Sequence, residues 1–304
     1  VGHLRVISIA MSAITGPATI DQLVADAAAA GYALTTRRIR DWTQAGLLDY
    51  PQRRPAGKGH GSHAALYEES QRHLLLTLLH HRQSVSIRGL AQIPVAVWLY
   101  WGDEFVPLRQ VRVALKTWLG DPRVSRPRAR QSAKDILKQF DHPSAAPAAR
   151  KKLLDLVTDA AYTGRVDLAA LERTLRDVFE PGFGTLRRGL GHPSAPLAVD
   201  SYVGLIDARL RATKNLARDE FTDDDFRAAR TAHLINHVQY AAEQPVLAAT
   251  APAGHEDLYA PITAERALNE SCDHLLTVLG LGIIYPEQAA RFACTPSPHV
   301  TLQP

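Results

Sequence analysis

The stretch TTRRIRDWTQAGLL, Thr35 to Leu48, crowds Arg37, Arg38 and Arg40 into one short segment and adds Gln44 a turn later. Guanidinium and carboxamide groups form paired hydrogen bonds to phosphates and to base edges. The same side chains on a surface helix would serve only as solvated cover, so spacing has to decide between the two. Projected at about 100° per residue, Arg40, Asp41 and Gln44 fall within about 60° of Arg37, and Ile39 and Trp42 lie on the far side. This predicts a helix with an apolar back and a basic, amide-bearing front, with Thr36 in its first turn and Arg38 to one side, placed for a phosphate. Asp41 on that front has two readings, an acceptor for a cytosine amino group or an intrahelical partner for an arginine; the second is preferred.

Other residues invite other chemistry. His233 and His237 stand four apart, the spacing of a zinc-binding pair on a helix. No glutamate follows the first of them, and a third ligand would have to come from a distant residue such as His255 or His274. A packed or solvent-facing pair is the preferred reading, and no metal site is assigned. Cys272 and His274 are two apart and diverge on a helix, so they form no local dyad. Glu172, Asp177 and Asp223 to Asp225 read as solvated helix charge. Trp98, Tyr100 and Trp101 read as core packing in preference to a ligand pocket. No nucleophile, base and orienting group assemble in the sequence, so no catalytic residue and no cofactor are assigned.

The elements that would position the arginines can be read around them. In TIDQLVADAAAAGY, Thr19 and Gln22 match a capping box, Ile20, Leu23, Val24 and Ala27 follow at helical spacing, and Gly31 supplies a stop. Thr35 is a good N-cap for the arginine helix, Leu34 and Ile39 sit where a hydrophobic staple would place them, and Gly46 suits the left-handed position after its end. Two short helices on a tight turn make a helix-turn-helix pattern. Then DYPQRRPAGKGHGSHAALY carries Arg53, Arg54 and Lys58 around Gly57, Gly59 and Gly61, which reads as two short strands on a glycine-rich hairpin. His60 and His63 in that hairpin read as phosphate or water contacts.

With those residues in view, Thr19 to about Leu79 resembles the winged helix-turn-helix domain of MerR-type transcriptional regulators. The matching positions are Thr35, Arg37, Ile39, Arg40, Trp42, Gly46, Leu47 and Leu48, followed by Tyr67 opening the next helix. Asp41 and Thr43 depart from that pattern, and no long C-terminal heptad run follows. The resemblance implies a sequence-specific regulator with helix 35–45 in the major groove and a wing, residues 50–66, on the DNA backbone. Its implied DNA contacts are Thr36, Arg37, Arg38, Arg40, Gln44, Arg53, Arg54 and Lys58. Implied partners are double-stranded DNA, RNA polymerase, an effector of small-molecule or protein type, and a second copy of the chain.

Composition sets the remaining limits. Residues 1–150 hold 20 Lys+Arg against 11 Asp+Glu, and residues 151–304 hold 15 against 20. A basic front and an acidic back suggest a polyanion-binding module joined to something else. No apolar run nears the roughly 20 residues of a membrane span, and VGHLRVISIAMSAITGP lacks a signal-peptide layout, so the cytoplasm, at the nucleoid, is the expected compartment. The expected fold is mainly α, a winged helix-turn-helix domain followed by an all-α helical bundle. Its parts are a flexible extension over 1–18, the DNA-binding domain with accessory helices over 19–120, a basic Pro-rich linker over 121–147 and a helical effector or oligomerisation domain over 148–304. Two other functions fit less closely: an architectural, excisionase-like or plasmid-partition protein, and a helical protein-interaction scaffold.

Overall fold

Helical sequence periods dominate the chain, and helices dominate what it forms. A computed structural model describes residues 14–55, 62–121, 125–137, 145–179, 199–250 and 263–295. Among these the protein is mainly α, with a single two-stranded antiparallel sheet. No helix among the described residues is long and apolar enough to cross a membrane.

The chain divides into two compact units. One runs to Gly120 and takes in Thr263–Cys272; the other begins at Asp121 and takes in Asp273–Val300. The first unit opens with α1 (Ile20–Ala29) and α2 (Thr36–Gln44). Thr19 caps α1 with the reciprocal Gln22 bond, and Leu23 and Ala27 are its buried face. The hairpin strands β1 (Gln52–Pro55) and β2 (Ser62–Leu66) follow, then α3 (Glu69–His81), whose stripe of Leu74, Leu75, Leu78 and Leu79 is buried. The unit continues with α4 (Ile87–Leu90), α5 (Gln92–Trp101) and α6 (Leu108–Leu119). Helix α1 packs on α2 and α3, and α4, α5 and α6 pack on one another. The first turns of α12 (Ala264–Ile284) complete it: Asn269 Oδ1 accepts from Gln92 Nε2 and from Trp118 Nε1, both at 3.1 Å.

Residues 14–18 are not the flexible end of an extension. Ala18 is fully buried and pairs with Tyr67 through two backbone bonds, and the carbonyls of Thr15 and Gly16 accept from Arg72. Residues 1–13 lie outside the described residues.

The second unit corrects the linker. Residues 121–147 contain a helix, α7 (Arg126–Leu137), packed along α8 (Pro147–Thr163). Arg126 pairs with Asp159, and Arg130 Nη1 lies 2.6 Å from Asp155. Four-residue steps on two facing helices make an ion-pair ladder, so these arginines sit on a packed helix where the sequence suggested a basic linker. Proline and arginine content hid the helix, because Pro127 stands in the first turn, where its missing N–H costs nothing. Ala133, Leu153 and Val157 join Leu171, Leu175 and Val178 of α9 (Leu168–Phe179) and Val199 and Ile206 of α10 (Val199–Ala217) in one core. Helix α11 (Asp223–Ala249), capped by the Thr222–Asp225 box, the rest of α12, and α13 (Pro286–Ala293) finish the unit.

Candidate nucleic-acid interface

The arginine helix is fixed from behind. Ile39 and Trp42 are at most 1% exposed, and Thr35 Oγ1 accepts the Arg38 N–H at 3.2 Å. That anchoring turns Arg37, Arg38, Arg40, Asp41 and Gln44 to solvent and leaves Thr36 half-buried. Neither the three arginines nor Asp41 forms an ion pair among the described residues. The intrahelical Asp41–arginine pair preferred from the sequence is therefore not made, although Arg37 stands one turn away.

Strands β1 and β2 pair with Gln52 opposite Leu66, Arg54 opposite His63 and Pro55 opposite Ser62. The register breaks at Arg53, an irregularity of the kind that sharpens strand twist. Arg53 and Arg54 are exposed and, among the described residues, have no ion pair. Lys58, with His60 and the hairpin glycines, lies outside the described residues.

Sequence reasoning missed the groups that hold helix and hairpin in place. Tyr67 is 3% exposed, and its hydroxyl lies 3.4 Å from Thr43 Oγ1, which donates to the Ile39 carbonyl at 3.0 Å. Burial raises the Tyr67 hydroxyl above its ordinary value, against the Thr43 hydrogen bond and the Arg40 charge, and keeps it a neutral phenol. The backbone of the same residue pairs with Ala18, so the segment before α1, the hairpin and α2 meet at one residue. Below the hairpin, Gln71 Oε1 accepts the Asp49 N–H at 2.8 Å, Gln71 Nε2 donates to Gln110 Oε1 at 3.0 Å, and Gln110 Nε2 donates to the Leu47 carbonyl at 3.0 Å. Arg109 Nε adds a 2.8 Å bond to the Asp49 carboxylate. A signal existed: Gln71 continues the Leu74, Leu75, Leu78 stripe back by one turn, and a polar group on an apolar stripe needs a buried partner.

Between the start of α1, the outer side of α2 and the hairpin lies a cleft of about 450 Å³. Arg40 and Gln44 line it from α2, Ala64 and Ala65 from β2, and Tyr50 and Pro51 from the connection. Tyr50 is 58% exposed.

The other constellations resolve elsewhere. In the second unit, His233 meets His274, with Nδ1 atoms 2.8 Å apart, and stacks on His237 at 6.4 Å between ring centroids. Among the described residues no group of three metal-ligating side chains converges; His255 lies outside them. Cys272 is buried, which pushes its thiol far up and makes it inert. Trp98 is 1% exposed and donates to Asp103 at 2.6 Å, so it is core; Tyr100, hydrogen-bonded to Ser271, and Trp101 are half-buried.

Division at the observed boundary changes the charge picture. The first unit holds 14 Lys+Arg against 10 Asp+Glu, and the second 21 against 21. The acidic back half was a product of cutting at residue 150, because α7 and its neighbours are basic. What remains is local: a basic surface on α2 and β1. Comparisons of the chain with protein-family models, with curated proteins and with solved structures give no match.

Proposed function

We propose that residues 19–120 form a winged helix-turn-helix DNA-binding domain of MerR-like type, and that the chain is a sequence-specific transcriptional regulator. The observation that carries this reading is the outward face of α2, where Arg37, Arg40 and Gln44 are exposed, without ion pairs among the described residues, on a helix locked from behind. A rigid helix with that face fits a major groove, and Arg53 and Arg54 on β1 fit the adjacent phosphates. Asp41, left without its intrahelical arginine, is an acceptor for a cytosine amino group in the same groove. The second unit is proposed to bring two copies together for paired half-sites and to receive an effector. Its exposed apolar residues, Val246 at 65% and Tyr285 at 51%, support that role.

Retention of fragmented genomic DNA by the full chain at near-physiological salt tests the reading. A few sharp, roughly palindromic peaks at promoters support it. Peaks at recombination or partition sites would favour the architectural alternative, and no retention would sink DNA binding altogether. Arg37→Ala is expected to narrow the gap between selected and random duplex by about 1–3 kcal/mol, the worth of a bidentate base contact. Equal losses on both duplexes would reduce Arg37 to a phosphate contact. Joint replacement of Arg53 and Arg54 by alanine is expected to weaken all sequences and lower the salt slope by about 1.8, from two phosphates at about 0.9 each. An unchanged slope would take the hairpin out of the interface.

A further inference from the structure

The cleft beside α2 has a use that the arginines alone do not describe. Its position and chemistry turn on Tyr50, the first residue of the expected wing. The backbone around Tyr50 is constrained on both sides. Asp49 before it is held by Gln71 through its N–H and by Arg109 through its carboxylate, and Pro51 after it fixes the chain direction into β1. A large ring is thus presented to solvent from a rigid base, 58% exposed, with no hydrogen bond to its hydroxyl among the described residues. Aromatic side chains held in this way lose little conformational freedom when they make contact.

The cleft around the ring is mixed in character. Ile20, Pro51, Ala64, Ala65 and the ring itself are apolar; Arg40 and Gln44 supply a guanidinium and an amide at the α2 side. The two alanines of β2 leave room where larger side chains would close the space. Asp21, also on the lining, sits at the α1 end and repels an anion there, so negative charge is favoured on the Arg40 side. An apolar floor with a cation at one rim complements a sugar joined to a phosphate.

We propose that this cleft holds one deoxyribose-phosphate unit of the bound DNA strand, with the Tyr50 ring against the sugar and its hydroxyl donating to a phosphate oxygen. The inference rests on the DNA-binding reading above and adds the strand path: the backbone crosses between α2 and the hairpin over Tyr50. Arg40 then serves that phosphate, and base reading falls to Arg37 and Gln44. Because the Tyr50 contact goes to backbone atoms, it strengthens binding to every sequence alike. Because the hydroxyl is uncharged, it releases no counterion and leaves the salt slope alone.

The test uses the full chain with the duplex it selects from genomic DNA and a random duplex of the same length. Titrations over a range of salt are paired with hydroxyl-radical footprints, which read sugar exposure at single nucleotides. Far-UV circular dichroism melts of each variant separate lost fold from lost contact. Tyr50→Phe is expected to weaken both duplexes by about 3- to 10-fold, the worth of one hydrogen bond, at unchanged salt slope. Tyr50→Ala is expected to weaken them further and to uncover one deoxyribose in each half-site. Wild-type affinity and an intact footprint in both Tyr50 variants, alongside the expected loss in Arg37→Ala, would overturn this inference and leave the DNA reading standing. A wild-type chain that binds neither duplex would overturn both.

Discussion

Gly46→Ala is expected to destabilise the N-terminal unit by about 3 kcal/mol or more, the combined cost of a strained backbone and an overpacked contact. Gly46 has φ +74°, the left-handed region that L side chains avoid. A Cβ added there would also stand 2.9 Å from Val113 Cβ and closer still to the Ala114 backbone nitrogen. Both obstacles belong to α6, and a helix backbone cannot rotate out of the way as a side chain can. Gly31 is the internal comparison. It has φ +85° and open space around its Cβ position, so Gly31→Ala is expected to cost about 1 kcal/mol, from backbone strain alone. Denaturant midpoints of the two variants check this. Equal losses would mean that α6 yields and that Gly46 is only a helix stop.

Acidification is expected to loosen the second unit through its buried histidine pair. His233 and His274 are about 5–6% exposed, and Asn236 Nδ2 lies 3.4 Å from His274 Nε2. With Asn236 donating, His274 carries its proton on Nδ1 and gives it to the bare Nδ1 of His233. If the amide is turned, the chain of donors runs the other way. In the first arrangement an added proton on His233 Nδ1 sets donor against donor; in the second it goes to Nε2 and leaves a charge that burial opposes. Burial first, then the neighbouring His274, His237 and Arg230, hold His233 well below the ordinary histidine value. The unfolded ring takes up its proton near pH 6.5, and the folded ring does not. Stability is therefore fully present above about pH 6.5 and falls as the pH drops, until the folded ring titrates too. Each pH unit in that window removes at most about 1.4 kcal/mol for one ring. Charged groups close to the pair include Arg230 on the same helix as His233 and Arg209 of α10, ion-paired with Asp273 beside His274. Hydrogen-exchange protection of α11 and α12 at pH 7.5 and 5.5, corrected for intrinsic exchange, reads the effect. His233→Phe is expected to lower protection at both values and to flatten its pH dependence. Parallel losses in variant and wild type would clear the pair of any part in the acid response.

Local rules placed many elements correctly. Thr19 with Gln22 and Thr222 with Asp225 form the two capping boxes, and the leucine stripe of α3 is buried as its spacing predicts. They failed where composition spoke louder than periodicity. The Pro- and Arg-rich residues after Gly120 form part of a packed helix, and the acids that pair with Arg126 and Arg130 lie 33 and 25 residues away on α8, where no local pattern shows them. The aspartate on the front of α2 went astray for the opposite reason: a favourable spacing from Arg37 does not oblige an exposed pair to close, since such pairs gain little in water.

The sequence by itself determined that the chain is mainly helical, where several helices start, and that one short helix has an apolar back and an arginine front. These are properties of neighbours within a turn or two, carried by backbone caps and the 3.6-residue period. Tertiary structure alone decided the rest. It put Gly46 against α6, so that a residue read as a stop is also a point of contact. It tied Tyr67 to Thr43 and Ala18, carried Asn269 into the first unit across more than 140 residues of chain, and set His274 beside His233. Each of those pairings is selected by burial, which a polar group tolerates only with a partner, and the partner's position along the chain leaves no local trace.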